Sequence, residues 1–170
     1  MSLAGTVPNG CPPPDPRAVV ALTGVASGVS AHGGPIPLSL GRCGFDPRVS
    51  AGEEGSVLQV KAGPDHRIEA WQGGVRVFDA AASGDAGFVL PTPGVWKVRC
   101  AAGHPGEEAW VYVVPHPYAA TTRADGSFYL GSVPVGRYTV VAWAPPDLSV
   151  SRPVEVLADR VTDLTLIFPP

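Results

Sequence analysis

Short runs in which hydrophobic and polar residues alternate recur along most of this chain. The segment GSVLQVKAG (55–63) alternates leucine and valine with glutamine and lysine between two glycines. An apolar residue at every second position is typical of a β-strand with one buried face. The run EAWVYVVPHPY (108–118) is rich in aromatic and β-branched residues, which favour strands. The pattern therefore predicts strands over 55–60 and 109–114.

The remaining strands follow from the same alternation and from the turn residues between them. Gly73 and Gly74 separate two strand-like runs, which is a signal for a β-hairpin. No segment between 17 and 168 has a convincing helical period, so the chain is predicted to be all-β. The further predictions are one strand in 17–27, the hairpin in 66–80, two strands in 86–103, two in 121–143 and two in 152–168.

Composition agrees with many short strands joined by turns. Of 170 residues, 45% are hydrophobic and only 16% are charged, while glycine and proline number 21 and 20. We predict an extended leader over 1–16, a Greek-key β-sandwich over 17–115 and a smaller β unit over 116–170. The boundary should fall near Pro115–Tyr118. The second unit is short for a complete sandwich, which leaves open that it shares strands with the first.

Charge and motifs exclude several classes of function. The formal net charge is −3 without a basic stripe, so nucleic acid is not an expected partner. No apolar run has the length of a transmembrane segment. The first residues, MSLAGTVPNG, lack the features of a signal peptide, so either the chain is cytosolic or a signal has been removed. The sequence has no phosphate-binding loop, GxSxG or HExxH motif, and we predict a protein that is not an enzyme.

The chain has three cysteines, Cys11, Cys43 and Cys100. In an oxidising compartment two of them can pair and one is left over. A disulfide between Cys11 and Cys43 would tie down the leader and leave Cys100 as a free thiol. The alternative is three unrelated thiols, and the sequence leaves both open.

Cys100 follows a strand-like run, and His104 lies four positions later. His66 follows an earlier predicted strand. A thiolate and imidazoles are ligands that suit copper or zinc. Spacing alone also fits a buried apolar cysteine beside an exposed loop histidine.

Three longer stretches resemble the cupredoxin-like proteins, related to plastocyanin, that occur beside carboxypeptidase regulatory-like modules in bacterial envelope proteins. They are FDPRVSAGEEGSVLQV (45–60), GPDHRIEAW (63–71) and the run from Pro93 to Pro145, which contains VRCAAGHPGEEAW. The resemblance covers about residues 17–145. It implies a Greek-key cupredoxin-like sandwich followed by a small transthyretin-like β module. In that module Asp125 and Gly126 would form the tight turn.

Carried over onto this chain, the resemblance makes His66, Cys100 and His104 the strong copper ligands. The place of the axial methionine is taken by Glu107, and the chain's only methionine is Met1. A further departure is Ala62, which stands where the family usually has an asparagine.

Two functions follow from this resemblance. In the first, an exported protein, periplasmic or extracellular, binds copper and transfers electrons, with Glu107 or a backbone oxygen as axial ligand. In the second, the protein is a metal-free structural or accessory subunit of a larger envelope complex, and the copper site is a relic. Both imply a protein partner in the cell envelope, such as a redox or membrane complex. His116, between two prolines, is expected to be held by backbone hydrogen bonds.

Overall fold

The computed structural model describes residues 11, 17–25, 34–64, 66–80, 85–102 and 107–170. These residues form strands and no helix, so the all-β prediction is confirmed. Apart from Cys11, the predicted leader over 1–16 lies outside the described residues. The strands are β1 (Val19–Thr23), β2 (Ile36–Gly41), β3 (Gly44–Asp46), β4 (Val49–Glu53), β5 (Val57–Ala62), β6 (Arg67–Gln72), β7 (Val75–Ala80), β8 (Asp85–Val89), β9 (Gly94–Ala102), β10 (Glu108–Val114), β11 (Ala119–Thr121), β12 (Gly136–Ala144) and β13 (Leu148–Val156).

Two sheets form a sandwich around the main hydrophobic core. One has the order β4-β10-β9-β6-β7 and the other the order β3-β2-β5-β8. Alternation explains how the core is filled, because Leu58 and Val60 of β5 are buried while Gln59 and Lys61 are exposed. Strands β5 and β10 confirm the predicted strands over 55–60 and 109–114. Two of the pairings, β2 with β5 and β4 with β10, are parallel.

The predicted hairpin joins β6 to β7. Its turn residues Gly73 and Gly74 both have positive φ, 58° and 77°. Glycine adopts this conformation without the steric cost that a Cβ atom brings, and two successive positive φ values match the twist of a two-residue hairpin. The hairpin prediction is confirmed.

A third sheet, in the order β11-β1-β12-β13, contains the C-terminal strands. Strand β1 lies at its centre and pairs with both β11 and β12. A strand that precedes the sandwich in sequence therefore belongs to the sheet of the C-terminal unit. The boundaries 17–115 and 116–170 stay a prediction, and so does the transthyretin-like assignment of the second unit.

Two extended segments cover one face of this third sheet without joining a sheet themselves. Alternate side chains within 128–133 and 164–168 pack on its core, but neither segment belongs to a described sheet. The first strand predicted in 121–143 and the second in 152–168 are therefore wrong. Their burial alternates as in a strand, yet they are not part of any described strand or sheet. The side chains that pack inward are Phe128, Leu130, Val133, Leu164, Leu166 and Phe168.

The third sheet packs against the sandwich through an aromatic cluster. The rings of Trp110 and Tyr112 on β10 lie 6.0 and 5.5 Å from the ring of Trp143 on β12. His116 lies in the connection between β10 and β11. Its Nε2 is 2.7 Å from the carbonyl oxygen of Leu22, and its Nδ1 accepts a hydrogen bond from the backbone N–H of Tyr118. The prediction that backbone hydrogen bonds hold His116 is confirmed.

Within the ranges given above, no helix has the length and hydropathy that a membrane span requires.

Candidate metal centre

His66 and Cys100 come together at one end of the sandwich. His66 lies directly before β6, and Cys100 lies on the neighbouring strand β9, paired with Ile68. The pairing register shifts between Arg67 and Ile68 at this point. The Sγ atom of Cys100 is 3.6 Å from Nδ1 of His66. The expectation that the fold places His66 beside Cys100 is met.

This separation fits two ligands of one metal ion. Imidazole nitrogen and thiolate sulfur bind zinc at about 2.0 and about 2.3 Å, and with tetrahedral to trigonal angles they lie roughly 3.5–3.8 Å apart. The observed 3.6 Å falls in that interval. The same distance suits a weak hydrogen bond between the thiol and the imidazole, so it is compatible with the metal-free state as well.

Cys100 and His66 differ in exposure. Cys100 is only 2% exposed and is not part of a disulfide. His66 is half-buried, and a Cβ atom placed on Gly63 would lie 3.8 Å from Cδ2 and Nε2 of its ring. The ring therefore packs over the glycine that follows β5. Ala62, the last residue of β5, is buried and offers no polar side chain.

Glu107 lies directly before β10, and its carboxylate is tightly enclosed. Its Oε2 atom is buried and has no hydrogen-bond partner, although the side chain as a whole is 29% exposed. The Nη2 atom of Arg48 lies 3.5 Å from this oxygen, close enough for an ion pair. A Cβ atom on Gly44 would displace the carboxylate, and φ of Gly44 is 97°, a conformation that favours glycine.

A disulfide joins Cys11 to Cys43, and Cys100 is not part of a disulfide. The predicted pairing is confirmed, and the alternative of three unrelated thiols is excluded. Cys43 lies in the turn between β2 and β3, next to Gly44. The disulfide therefore anchors the segment on which the Glu107 carboxylate rests.

The third predicted copper ligand, His104, lies outside the described residues. Among the residues that are described, no group of three or more His, Cys, Asp or Glu side chains could hold a metal ion. Glu107 thus does not complete a ligand set with His66 and Cys100. The roles of His104 as ligand and of Glu107 as axial ligand stay predictions.

A surface ion pair lies next to the site. The Nε atom of Arg67 donates a hydrogen bond to Oδ1 of Asp79 at 2.7 Å, and a second bond joins Nη2 to Oδ2. The bonds from Arg67 lower the pKa of the Asp79 carboxyl, and the carboxylate in turn raises the pKa of Arg67. Because Arg67 follows His66 directly, this pair ties the start of β6 to β7.

Sequence reasoning did not identify Arg48 as part of this region. It belongs to the connection between β3 and β4, and the alternation of hydrophobic residues says nothing about its partner. Only the parallel pairing of β4 with β10 brings Arg48 to the start of β10, where Glu107 lies.

Neither a protein-family model nor a curated protein matches this chain. Several solved structures resemble part of it. A Cu-containing nitrite reductase from Thermus scotoductus is 17% identical with a TM-score of 0.41, over 49% of this chain and 23% of the reductase. A pseudoazurin from Hyphomicrobium denitrificans is 20% identical with a TM-score of 0.39, over 46% of this chain and 74% of the pseudoazurin. A purple cupredoxin from Nitrosopumilus maritimus is 16% identical with a TM-score of 0.37, over 46% of this chain and 99% of the cupredoxin.

Proposed function

We propose that this protein is an exported, non-enzymatic cupredoxin-like protein that binds copper through His66, Cys100 and His104 and transfers electrons. The observation that supports this proposal best is the 3.6 Å separation of Cys100 Sγ and His66 Nδ1. These residues are distant in sequence and supply a thiolate and an imidazole, which together suit copper.

Bound copper would supply a centre that gains and loses one electron. The chain's own contribution is to hold the ligands still. Strand β9 lies between β10 and β6, and Cys100 itself pairs with Ile68 of β6. A ligand on a central strand resists displacement, so the same geometry can serve both oxidation states. The low exposure of Cys100 keeps water away from its sulfur.

Export is supported by the disulfide between Cys11 and Cys43, because such bonds persist mainly in oxidising compartments. The proposed location is therefore the periplasm or the extracellular space. The proposed partner is a protein of the cell envelope that supplies or accepts the electron. The C-terminal unit, proposed to be a carboxypeptidase regulatory-like module, would act as a scaffold. Its predicted turn is present, since the backbone N–H of Ser127 donates to Oδ1 of Asp125 and Gly126 has φ 85°.

The second candidate function is a metal-free structural or accessory subunit of a larger envelope complex. The observation that favours it is the lack of a group of three metal-binding side chains within the described part of the chain. Under this alternative, the Cys100–His66 contact is a hydrogen bond inside a structural sandwich.

Copper titration of the reduced protein separates the two functions. A copper site should give a visible charge-transfer band from the thiolate and raise the melting temperature, since a ligand at a hundred times its Kd stabilises a fold by about 2.7 kcal/mol. Cys100→Ser should abolish the band, and His66→Ala should remove most of the affinity. His116→Gln is the matched control, because His116 is held by backbone groups and should not alter the band. No band and no stabilisation at excess copper would establish the metal-free alternative.

A further inference from the structure

A cavity of about 620 Å³ lies where the sandwich meets the third sheet. Its lining includes β4 of the sandwich, β11 of the third sheet and the connection that leads to β11. The volume is in the range of cavities that hold small organic molecules. In β4, Glu53 pairs with Val114 at the end of β10. The residue before Cys100 pairs with the first residue of β10, so the cavity and the candidate metal centre lie at opposite ends of this strand.

Glu53 brings a carboxylate to this cavity. Because side chains alternate along a strand, Glu53 lies on the same face of β4 as Val49 and Ala51. That face packs against the third sheet, where Val49 contacts the cluster of Val19 and Trp143. The side chain of Glu53 therefore points away from the sandwich core and toward the side on which β11 lies.

The carboxylate of Glu53 is buried without a counter-ion. Glu53 is only 7% exposed, yet within the described part of the chain its side chain has no hydrogen bond and no ion pair. A carboxylate that loses water in this way costs free energy unless another charge or donor compensates it. A cationic ligand in the cavity would supply that compensation.

The remaining lining indicates what kind of ligand would fit. Apolar walls are formed by Pro35, Pro37, Pro47 and Pro117. His116 also lines the cavity, but both of its ring nitrogens are engaged by backbone groups. It therefore leaves no ring N–H for an anionic ligand. Apolar walls around one carboxylate suit a ligand with a positive end and an aliphatic stem.

A single carboxylate suits an organic cation better than a metal ion. Calcium takes about six to eight oxygen ligands, whereas no group of three metal-binding side chains occurs among the residues that the structure describes. An ammonium or guanidinium group needs only hydrogen-bond acceptors. Arg17 lines the same cavity, but no ion pair joins these two described residues, Arg17 and Glu53. The arginine therefore does not take the place of the ligand.

We propose that this cavity binds an ammonium or guanidinium group on a short apolar stem, with the Glu53 carboxylate as its counter-ion. Such groups occur in small amines and in the lysine and arginine side chains of proteins. The site does not require copper, so the inference goes beyond the proposed function and can be tested whether or not the chain binds metal.

Calorimetric titration of the full chain with n-butylammonium, and with n-butanol as its neutral analogue, tests the site. The wild-type protein should bind the ammonium ion and not the alcohol. Glu53→Gln should weaken binding of the ammonium ion by about tenfold or more, because it removes a charge-assisted hydrogen bond. Glu54→Gln is the matched control, since it removes the same charge from the next residue, which is exposed, and it should bind as the wild type does.

N-acetyl-lysine methylamide identifies the source of the cation. Tighter binding of this compound than of n-butylammonium would indicate a lysine side chain of a protein partner, and weaker binding would indicate a free amine. Amide shifts in nuclear magnetic resonance locate the site, and they should be largest around Ala51 and Thr121, which line the cavity.

Folding of the variants is measured separately by thermal unfolding. Glu53→Gln removes a buried charge that has no described partner, so its melting temperature should equal or exceed that of Glu54→Gln. A large fall would mean that the carboxylate has a structural role and would overturn the inference. Equal binding of the ammonium ion by the wild type and Glu53→Gln, equal binding of n-butanol, or no binding of either cation by the wild type would overturn it as well.

Discussion

The sandwich and the C-terminal unit bury hydrophobic side chains in similar alternation, but their backbones differ. In the sandwich both layers are sheets, and the core includes residues with almost no exposure, such as Leu58, Leu90 and Val98. In the C-terminal unit one layer is a sheet and the other consists of extended segments without backbone pairing. Most residues of that second core are only partly buried. The comparison shows that alternation can specify which side chains face inward without specifying a sheet.

The difference matches the location of the candidate metal centre. Cys100 lies on a strand paired on both sides, and the Cys11–Cys43 disulfide closes the same end of the sandwich. Ligands need fixed positions, and a doubly paired strand provides them. The C-terminal unit instead offers exposed apolar side chains, including Tyr129, Val161 and Ile167, on its unpaired segments.

The largest expected effect comes from removing one leucine from each core. Leu58→Ala removes a side chain with 0% exposure from the sandwich and should lower the free energy of unfolding by about 2–5 kcal/mol. Leu166→Ala, in the unpaired layer, should cost about 1 kcal/mol, because its side chain is only partly buried. Urea unfolding monitored by circular dichroism measures both. Equal losses would mean that the two cores are packed alike.

The Cys11–Cys43 disulfide provides the second test of the difference between the sandwich and the C-terminal unit. Replacing Cys11 and Cys43 by serine removes a cross-link that spans 32 residues and should lower the free energy of unfolding by about 2–4 kcal/mol. The loss should appear in the unfolding of the sandwich. A selective loss of the C-terminal unit, seen by proteolysis at partial unfolding, would contradict the assignment of this bond to the sandwich end.

The smallest expected effects are in the titration of one aspartate from each region. Asp79 has a lowered pKa because Arg67 hydrogen-bonds to it, and Asp125 has a lowered pKa because the hydroxyl and then the backbone N–H of Ser127 hydrogen-bond to it. The ordinary value is near 3.8. A carboxyl whose pKa is lower in the folded than in the unfolded protein raises the free energy of unfolding. This contribution is complete above the pKa of the unfolded protein and is lost as the pH falls through the pKa of the folded protein.

Carboxyl resonances followed by nuclear magnetic resonance should therefore titrate below the ordinary value for both groups. Arg67→Gln should return the pKa of Asp79 toward that value and leave Asp125 unchanged, and Ser127→Ala should do the reverse. If Arg67→Gln also moved Asp125, the two regions would be electrostatically coupled, contrary to the structure.

Local sequence patterns predicted the strands and the hairpin turn, which depend on neighbouring residues. Alternation around Leu58 gave the strand and its buried face, and the glycines at 73 and 74 gave the hairpin, because each depends on residues next to one another. The resemblance to cupredoxin-like proteins predicted that His66 lies beside Cys100, as the structure shows. The partners of Leu166 and its neighbours could not be predicted in this way, since alternation does not say whether another backbone lies in register.

Contacts set by the overall topology were also beyond local patterns. The central place of β1 in the third sheet depends on which strands remain unpaired after the sandwich has formed. The Arg48–Glu107 pair depends on the parallel alignment of β4 and β10. Parallel strands that pair with each other are joined by long connections, so no short sequence motif predicts the pairing.

The unpaired segments of the C-terminal unit have a consequence for exchange with solvent. An amide hydrogen that is bonded within a sheet exchanges with deuterium only when the structure opens, whereas one that faces water exchanges without such opening. The amides of residues 128–133 and 164–168 should therefore take up deuterium rapidly even though alternate side chains in these two stretches remain packed. The protein would thus contain a layer that is ordered in its side chains and unprotected in its backbone.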